Sequence, residues 1–367
     1  MTSDEIAIGY GGCFDSLLDC SEHARMTVND VAVIIVNYCK WIDTVMCVES
    51  VLHSDLLPRW IIIVDNASPN DSVERIQGWA AGDGPSSSIS EWPELDLQPA
   101  PKPIPLLVLH SEYILTEAAI AACKSGVHKI LLIRNGINNG YAGGNNIGMA
   151  LGLQLGAEAF WILNNDTIVH PSTCRAMRDR LMACSRPGLV GGIVRYLTTP
   201  DIVQCCCGGY TNRWTLLSTL FGQGLPIQTA SSIPRAKIEG EMNFVYGASV
   251  MASRKFVETV GYMDERYFLY CEEQDWAWSA ANRFDLAYAP DAHVLHKEGE
   301  STGLSRRQYS ISRLALLCKS RLRLAFKHSP ETIPTVLCGI SFAAVKLVLR
   351  IIGQRVGISR FNAFRQP

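Results

Sequence analysis

The apolar run Phe160-Trp161-Ile162-Leu163 halts on Asn164, Asn165 and Asp166, and at this halt the chain offers metal chemistry. A short apolar run suits a buried strand, and ligands of an open α/β sheet gather beyond the carboxyl ends of its strands. A hard cation such as Mg²⁺ or Mn²⁺ takes a rigid carboxylate oxygen and leaves its other positions to phosphate and water. Asp166 supplies that carboxylate, and the two amides give it polar neighbours. The same residues also suit the N-cap of a following helix, and this stretch alone does not separate the two readings.

Glu272, Glu273 and Asp275 form the second candidate group. Crowding by like charge raises a carboxylate's proton affinity, which fits a general base acting on a hydroxyl. The first turn of a helix favours acidic residues for electrostatic reasons alone, so capping is the competing explanation. On a helix Glu272 and Asp275 share a face while Glu273 points elsewhere, so one face at most meets a substrate. Trp276 and Trp278 offer a platform for a sugar ring or ordinary core. His293 and His296 fall on opposite faces of a strand and do not chelate one ion together. His296 alone can join Asp166 at a cation, against the structural role that an isolated histidine usually has.

Such groups need strands that deliver them to one edge. Val31–Val36 is a continuous β-rich run, of the kind covered on both faces, and ends at Asn37. Val45, Val48, Val51 and Leu52 follow at helical spacing, and a second strand at Trp60–Val64 stops on Asp65, Asn66, Ala67 and Ser68. Strand, helix and strand make a right-handed βαβ unit, which brings Asn37 and Asp65 to the same sheet edge. Asp65 either shapes the turn before a helix starting near Asp71 and Ser72 or accepts hydrogen bonds from a base or ribose. Its neighbour Asn37 favours the second role.

The alternation resumes with a strand at Leu106–Leu109, a helical piece over 116–122 and a strand at Lys129–Ile133. Asn138 to Gly148 is dense in glycine and asparagine and reads as a loop leading into a helix through Leu155. Backbone N–H groups of such a loop can approach a diphosphate. It is neither G-x-G-x-x-G nor a P-loop, which argues against a dinucleotide oxidoreductase and a P-loop kinase. Phe244–Ala252 reads as one strand carrying a close-approach glycine, and Leu286–Ala289 as another.

With 367 residues, 48% hydrophobic and 19% charged, the chain can bury a large core, and a net charge of -2 gives no electrostatic case for nucleic acid. The 13 cysteines include no C-x-x-C pair, and three are adjacent at Cys205 to Cys207. Neither a disulfide framework nor a zinc site is supported, and a reduced cytoplasmic setting is expected. Asp4 and Glu5 stand where a secretory signal would carry basic residues. The expected organisation is an N-terminal extension over 1–28, a catalytic domain over 29–305 with a surface insertion at 82–105, and a basic, apolar helical region over 306–367. That last region suits either an anionic membrane surface at the inner face of the plasma membrane or packing onto the domain or a second subunit.

In order along the chain, Val31 to Asn37, Ile61 to Ser68, Asn139 to Asn146, Leu163 to Thr167, Gly247 to Ser249, Asp264 to Tyr270, Glu272 to Trp276 and His296 resemble family 2 glycosyltransferases. The chain is most similar to the rhamnosyltransferase-like branch of bacterial polysaccharide synthesis. The resemblance implies a GT-A fold, with a mostly parallel sheet flanked by helices, and inverting transfer from a dTDP- or UDP-linked sugar to a glycan or lipid-linked acceptor, assisted by Mg²⁺ or Mn²⁺. It further implies that Asn37 and Asp65 contact the nucleoside, that the loop with Gly140, Gly143, Gly144, Asn145 and Asn146 borders the diphosphate, and that Asn66, Asn164 and Asn165 belong to the donor site. Asp166 and His296 become the metal ligands, and Glu273 the base, with Asp275 as its rival. Two departures matter: Asn164 stands where many relatives carry Asp, and Glu273 is one methylene longer than the Asp found in many. The reading from another class is a sugar-nucleotide or carbohydrate-binding protein that keeps the fold without the chemistry. Homo-oligomer formation is left open.

Overall fold

Uninterrupted β-branched sequence builds the centre of the fold. The computed structural model describes residues 30–83, 98–126, 129–297 and 311–341. The expected extension over 1–28, residues 84–97 of the expected insertion, and 298–310 and 342–367 toward the C-terminus lie outside the described residues.

The first half alternates regularly: β1 (Val31–Asn37), α1 (Trp41–Leu52), β2 (Trp60–Asp65), α2 (Ser72–Ala81), β3 (Leu106–His110), α3 (Glu117–Lys124), β4 (Ile130–Arg134), α4 (Gly140–Leu155) and β5 (Ala159–Asn164). Ile61, Ile62, Ile63 and Val64 of β2 are all buried, because apolar layers cover the sheet on both sides. These strands pair in parallel in the order β3-β4-β2-β1-β5. Strand order therefore reverses at β1, with β2 on one side and β5 on the other. A crevice at such a reversal, beyond the carboxyl ends, is the usual ligand position in open α/β sheets.

The second half widens the sheet with antiparallel additions. It runs β6 (Thr167–Val169), α5 (Thr173–Met182), β7 (Pro187–Tyr196), β8 (Thr199–Cys206), β9 (Gly208–Thr211), β10 (Ser218–Leu220), α6 (Ile227–Ser231), α7 (Arg235–Glu241), β11 (Phe244–Val245), β12 (Ser249–Ser253), α8 (Arg254–Val260), α9 (Glu272–Ser279), β13 (Asp285–His296) and α10 (Ile311–His328). The main sheet continues β5-β12-β7-β13-β6 with β8 on β7, and β10-β9-β11 form a small second sheet. The run Phe244–Ala252, expected as one strand, divides between the two sheets: β11 pairs with β9 and β12 with β5.

The glycine-rich segment departs from its expected form. It is helical from Gly140 onward, so the anticipated diphosphate loop is the first turns of α4. Gly144, Gly148 and Gly152 recur at one helical face, and a Cβ on each would press into Val36, Ile34 and Phe160. These glycines let α4 lie close against β1 and β5. Only Gly140 keeps the special backbone a loop reading implies, with φ of 73°.

Basic residues of α10 are turned onto the domain. Ser320 Oγ donates to Leu269 O at 2.9 Å, Lys327 Nζ pairs with Asp275 Oδ2 at 2.7 Å, and Arg323 donates to Arg266 O. These contacts pack α10 onto the domain, one of the placements expected for the basic region. Among the described residues no helix is long and apolar enough to cross a membrane. Every described cysteine is a free thiol, and Cys205, Cys206 and Cys207 are buried.

Candidate active site

Strand register assembles the cation pair. β5 ends at Asn164, the chain turns through Asn165 and Asp166, and β6 then pairs antiparallel with β13 so that Thr167 lies opposite His296. This pairing brings His296 Nε2 to 3.2 Å from Asp166 Oδ1. The imidazole's other nitrogen, Nδ1, lies 2.8 Å from Gln204 Oε1 on β8. An amide oxygen only accepts, which assigns a proton to Nδ1, and in the neutral imidazole Nε2 then carries a lone pair. The Asn164 amide, 3.4 Å from Nε2, is placed to donate to that lone pair.

A lone pair and a carboxylate oxygen thus face each other in a buried site, an arrangement that a divalent cation between them would stabilise. Among the described residues no group of three or more His, Cys, Asp and Glu converges as a metal site. The protein's share is two donors. That fits Mg²⁺ or Mn²⁺, which keeps positions for phosphate oxygens and water, better than a metal held by protein alone.

The ends of β1 and β2 form a saturated network. Asn37 and Asp65 are register partners, and Asn37 Nδ2 donates to Asp65 Oδ1 at 2.6 Å. Ser68 donates its Oγ to Asp65 Oδ1 at 2.6 Å and its backbone N–H to Oδ2 at 3.0 Å. Thr44 Oγ1 donates to Asn37 Oδ1 at 2.8 Å and accepts from Asn165 Nδ2 at 3.1 Å, tying this network to the turn before Asp166. Asn66 fixes the entry to α4, donating to Gly140 O at 2.9 Å and accepting from Asn135 Nδ2 at 3.0 Å.

A cavity of about 800 Å³ opens beside these strand ends, lined among others by Asn66, Gly140, Asn164, Asn165, His296 and Glu273. Asn37, Asp65 and Asp166 are buried and do not line it. Gly143, Gly144, Asn145 and Asn146, expected at the diphosphate, do not line it. Asn146 instead clamps the segment before α9: its Nδ2 donates to Met263 O and to Glu265 Oε1, each at 2.9 Å, and its Oδ1 accepts from Met263 N at 3.0 Å. Close packing of α4 on the sheet, which needs those glycines, turns this face of the helix away from the cavity.

The three carboxylates of α9 separate as its helical geometry dictates. Tyr270 and Cys271, both with positive φ, bend the chain into the helix. Asp275 is buried on the far side, where its Oδ1 meets His328 Nε2 at 2.8 Å and Tyr267 OH at 3.3 Å, opposite the Lys327 pair. Asp275, the expected rival base, does not line the cavity, and its oxygens engage Lys327 and His328 of α10. Glu272 and Glu273 line the cavity. Burial raises the proton affinity of both, and Glu273's negative charge adds to the rise at Glu272. Glu273 lies over Gly247, where a Cβ would overlap its carboxylate, and a backbone hydrogen bond at Gly247 counters part of its rise. The hydroxyl of Tyr141 donates to Gly247 O at 2.7 Å, and burial together with the charges of Glu273 and Glu272 keeps that phenol protonated.

Sequence reasoning missed the roles of Gln204 and Tyr141 and the place of α10 in the cavity wall. Gln204 carried a usable signal, because it is a polar residue within the apolar strand sequence Ile202-Val203-Gln204-Cys205 and is buried. Tyr141 and α10 carried none, since their relation to the cavity is purely tertiary.

No family model matches the sequence, and no curated protein matches it. Solved structures do. GalNAc-T7 with UDP, GalNAc and Mn²⁺ is 14% identical over 80% of this chain and 47% of that one, with a TM-score of 0.50. The fold is GT-A. The chain spans about half the length of the GalNAc-T7 structure, 47%. The mannosyltransferase PcManGT from Pyrobaculum calidifontis, with GDP-Man and Mn²⁺, is 12% identical over 94% of this chain and 88% of its own, TM-score 0.49. S. aureus TarS 1-349 with UDP-GlcNAc is 10% identical over 91% and 74%, TM-score 0.44. In the GT-A frame found here, the cavity lies at the strand reversal between β1 and β5, lined by Asn164, Asn165, His296 and Glu273, with Asp166 buried next to His296.

Proposed function

We propose that this chain is a glycosyltransferase that moves a sugar from a nucleotide-diphosphate donor to an acceptor hydroxyl, with Mg²⁺ or Mn²⁺ held by Asp166 and His296. The observation that carries the reading is His296, which lines the same cavity as Glu273 and holds its Nε2 3.2 Å from the buried Asp166 Oδ1 while Nδ1 meets Gln204 Oε1 at 2.8 Å. A bound cation would neutralise charge on the departing diphosphate. Asn164 and Asn165 at the end of β5 would orient the phosphates. Asn66 and the β1–β2 network of Asn37 and Asp65 would shape the nucleoside end. Glu273, whose proton affinity burial raises, would accept the proton of the acceptor hydroxyl as that oxygen attacks the anomeric carbon. Gly247 leaves room for the Glu273 carboxylate, and Tyr141 holds the Gly247 carbonyl in place.

A single displacement by the acceptor oxygen, on the side opposite the departing diphosphate, would give inversion at the anomeric carbon. The sequence resemblance points to a dTDP- or UDP-linked sugar, rhamnose among the candidates, and to a glycan or lipid-linked saccharide of cell-surface polysaccharide as acceptor. The test is a thermal-shift screen of dTDP-, UDP- and GDP-sugars with Mg²⁺ and Mn²⁺, followed by NMR of the product's anomeric configuration. Cation-dependent stabilisation by a nucleotide sugar and an inverted product support the reading. Stabilisation without release of nucleoside diphosphate from the donor, whichever acceptor is supplied, makes the chain a binding protein, and a retained configuration removes the single-displacement step.

A further inference from the structure

Thr44, Cys47 and Ser50 follow one another at helical spacing on α1, and all three are fully buried among Val45, Val48 and Val51. Each meets the stretch of chain that carries Asp166. Thr44 Oγ1 accepts from Asn165 Nδ2 at 3.1 Å, Cys47 Sγ lies 3.5 Å from Asn164 O and 3.4 Å from Thr167 Oγ1, and Ser50 Oγ accepts from Val169 N at 3.0 Å. A buried polar group costs stability unless it is bonded, so this stripe matches α1 to one particular turn and strand.

The turn needs an outside support. The β1–β5 ladder ends at Asn164 and the β6–β13 ladder begins at Thr167, so Asn165 and Asp166 fall between the two. Main-chain bonds hold the margins: Asn164 N donates to Ala248 O and Lys297 N to Asp166 O, each at 3.0 Å. Between them, the Asn165 side chain ties the turn to Thr44. Thr44 is itself held, since its hydroxyl donates to Asn37 Oδ1 at 2.8 Å, with Lys40 O at 3.1 Å as a second acceptor, and Asn37 donates to Asp65. One hydroxyl therefore joins the ends of β1 and β2 to the turn between β5 and β6.

We infer that Thr44 is a positioning residue for the cation, fixing through Asn165 the direction in which the β5–β6 turn presents Asp166 to His296. The inference rests on the Asp166 and His296 cation reading and adds to it a residue from a helix that supplies no ligand. With two donors from the protein, affinity depends on how well those donors are held before the ion arrives. Ser50 serves as the contrast on the same helix. Its bond reaches Val169, inside the β6 ladder, where pairing with Val294 already sets the strand.

The experiment titrates the full chain with Mn²⁺, followed by electron paramagnetic resonance, alone and with UDP as a separate arm, and records a melting temperature for every variant. Thr44→Val keeps the side chain's size and deletes the hydroxyl; the Mn²⁺ midpoint is expected to weaken about tenfold or more. Thr44→Ser returns the hydroxyl and should return the native midpoint. Ser50→Ala also deletes a buried hydrogen bond, so it should lower the melting temperature while leaving the Mn²⁺ midpoint native. If Thr44→Val does not melt cooperatively, Thr44→Ala deletes the same hydroxyl in a space that water can enter, with the same expected weakening. A native midpoint in the hydroxyl-deleted variant overturns the inference. Thr44→Ser as weak as Thr44→Val also overturns it, because the hydroxyl is then not the acting group. Equal weakening in Ser50→Ala overturns it as well, since affinity then merely follows stability. A native chain that binds Mn²⁺ neither alone nor with UDP is a separate outcome, and it removes the cation reading itself.

Discussion

His296 Nε2 and Asp166 Oδ1 lie 3.2 Å apart because β13 and β6 are antiparallel neighbours, with His296 opposite Thr167. Gln204, from a third strand, decides which nitrogen faces the carboxylate. Replacing Gln204 by Met keeps the volume and deletes the acceptor for Nδ1–H. Loss of such an orienting partner costs about 10–100-fold in metal affinity. The expected result is a weaker Mn²⁺ midpoint in a titration followed by Mn²⁺ electron paramagnetic resonance. Asp166→Asn should abolish that binding. A Gln204→Met midpoint equal to the native one would detach Gln204 from the metal site.

Glu273 and Gly247 are the second dependent pair. Glu273→Gln removes the base while keeping the shape, so transfer should fall about 10²–10⁴-fold with nucleotide binding intact. Gly247→Ala keeps the carboxylate but displaces it, and a displacement near 1 Å costs about 10²-fold in rate. Both losses should fall on kcat. Because burial raises Glu273's proton affinity, activity should rise with pH through a midpoint above the ordinary glutamate value of about 4.3. Near-native turnover by Glu273→Gln moves the base elsewhere.

Asp275 makes a contrasting prediction, since its partners lie on α10. Asp275→Asn leaves Lys327 and His328 facing a neutral amide. Breaking a buried pair costs roughly 3–5 kcal/mol, and Lys327 is 34% exposed, so about 2–3 kcal/mol of stability is expected to be lost. Urea unfolding measures it. Transfer per folded molecule should fall far less than in Glu273→Gln, and an equal loss would restore Asp275 as a rival base.

The parts of this fold that read clearly from sequence are those set by local pattern. Apolar runs marked β1, β2, β4 and β5, and their polar ends at Asn37, Asp65 and Asn164 meet at one edge because parallel register demands it. The glycines at 144, 148 and 152 were ambiguous, since close helix packing and a phosphate loop call for the same residue. What could not be read is what pairing across the sheet creates. The β7–β8 hairpin that presents Gln204 and the docking of α10 beside the cavity depend on contacts with no sequence period. Asp275 and Glu273 were separable only once the helix had a known neighbour on each side.

Glu272 yields the last prediction, one of stability against pH. It is 3% exposed, its Oε2 makes no hydrogen bond among the described residues, and burial first, then the charge of Glu273, raises its proton affinity well above the ordinary range. The folded state therefore binds the proton more tightly than the unfolded chain, so stability is fully present below the unfolded value near 4.3 and is lost as pH rises through the folded one. Glu272→Gln mimics the protonated acid at every pH. Relative to the native chain, the variant should gain stability steadily from acid toward neutral pH, read as a growing difference in melting temperature between the two proteins. A difference that stays constant across that range would show that Glu272 does not hold its proton in the fold.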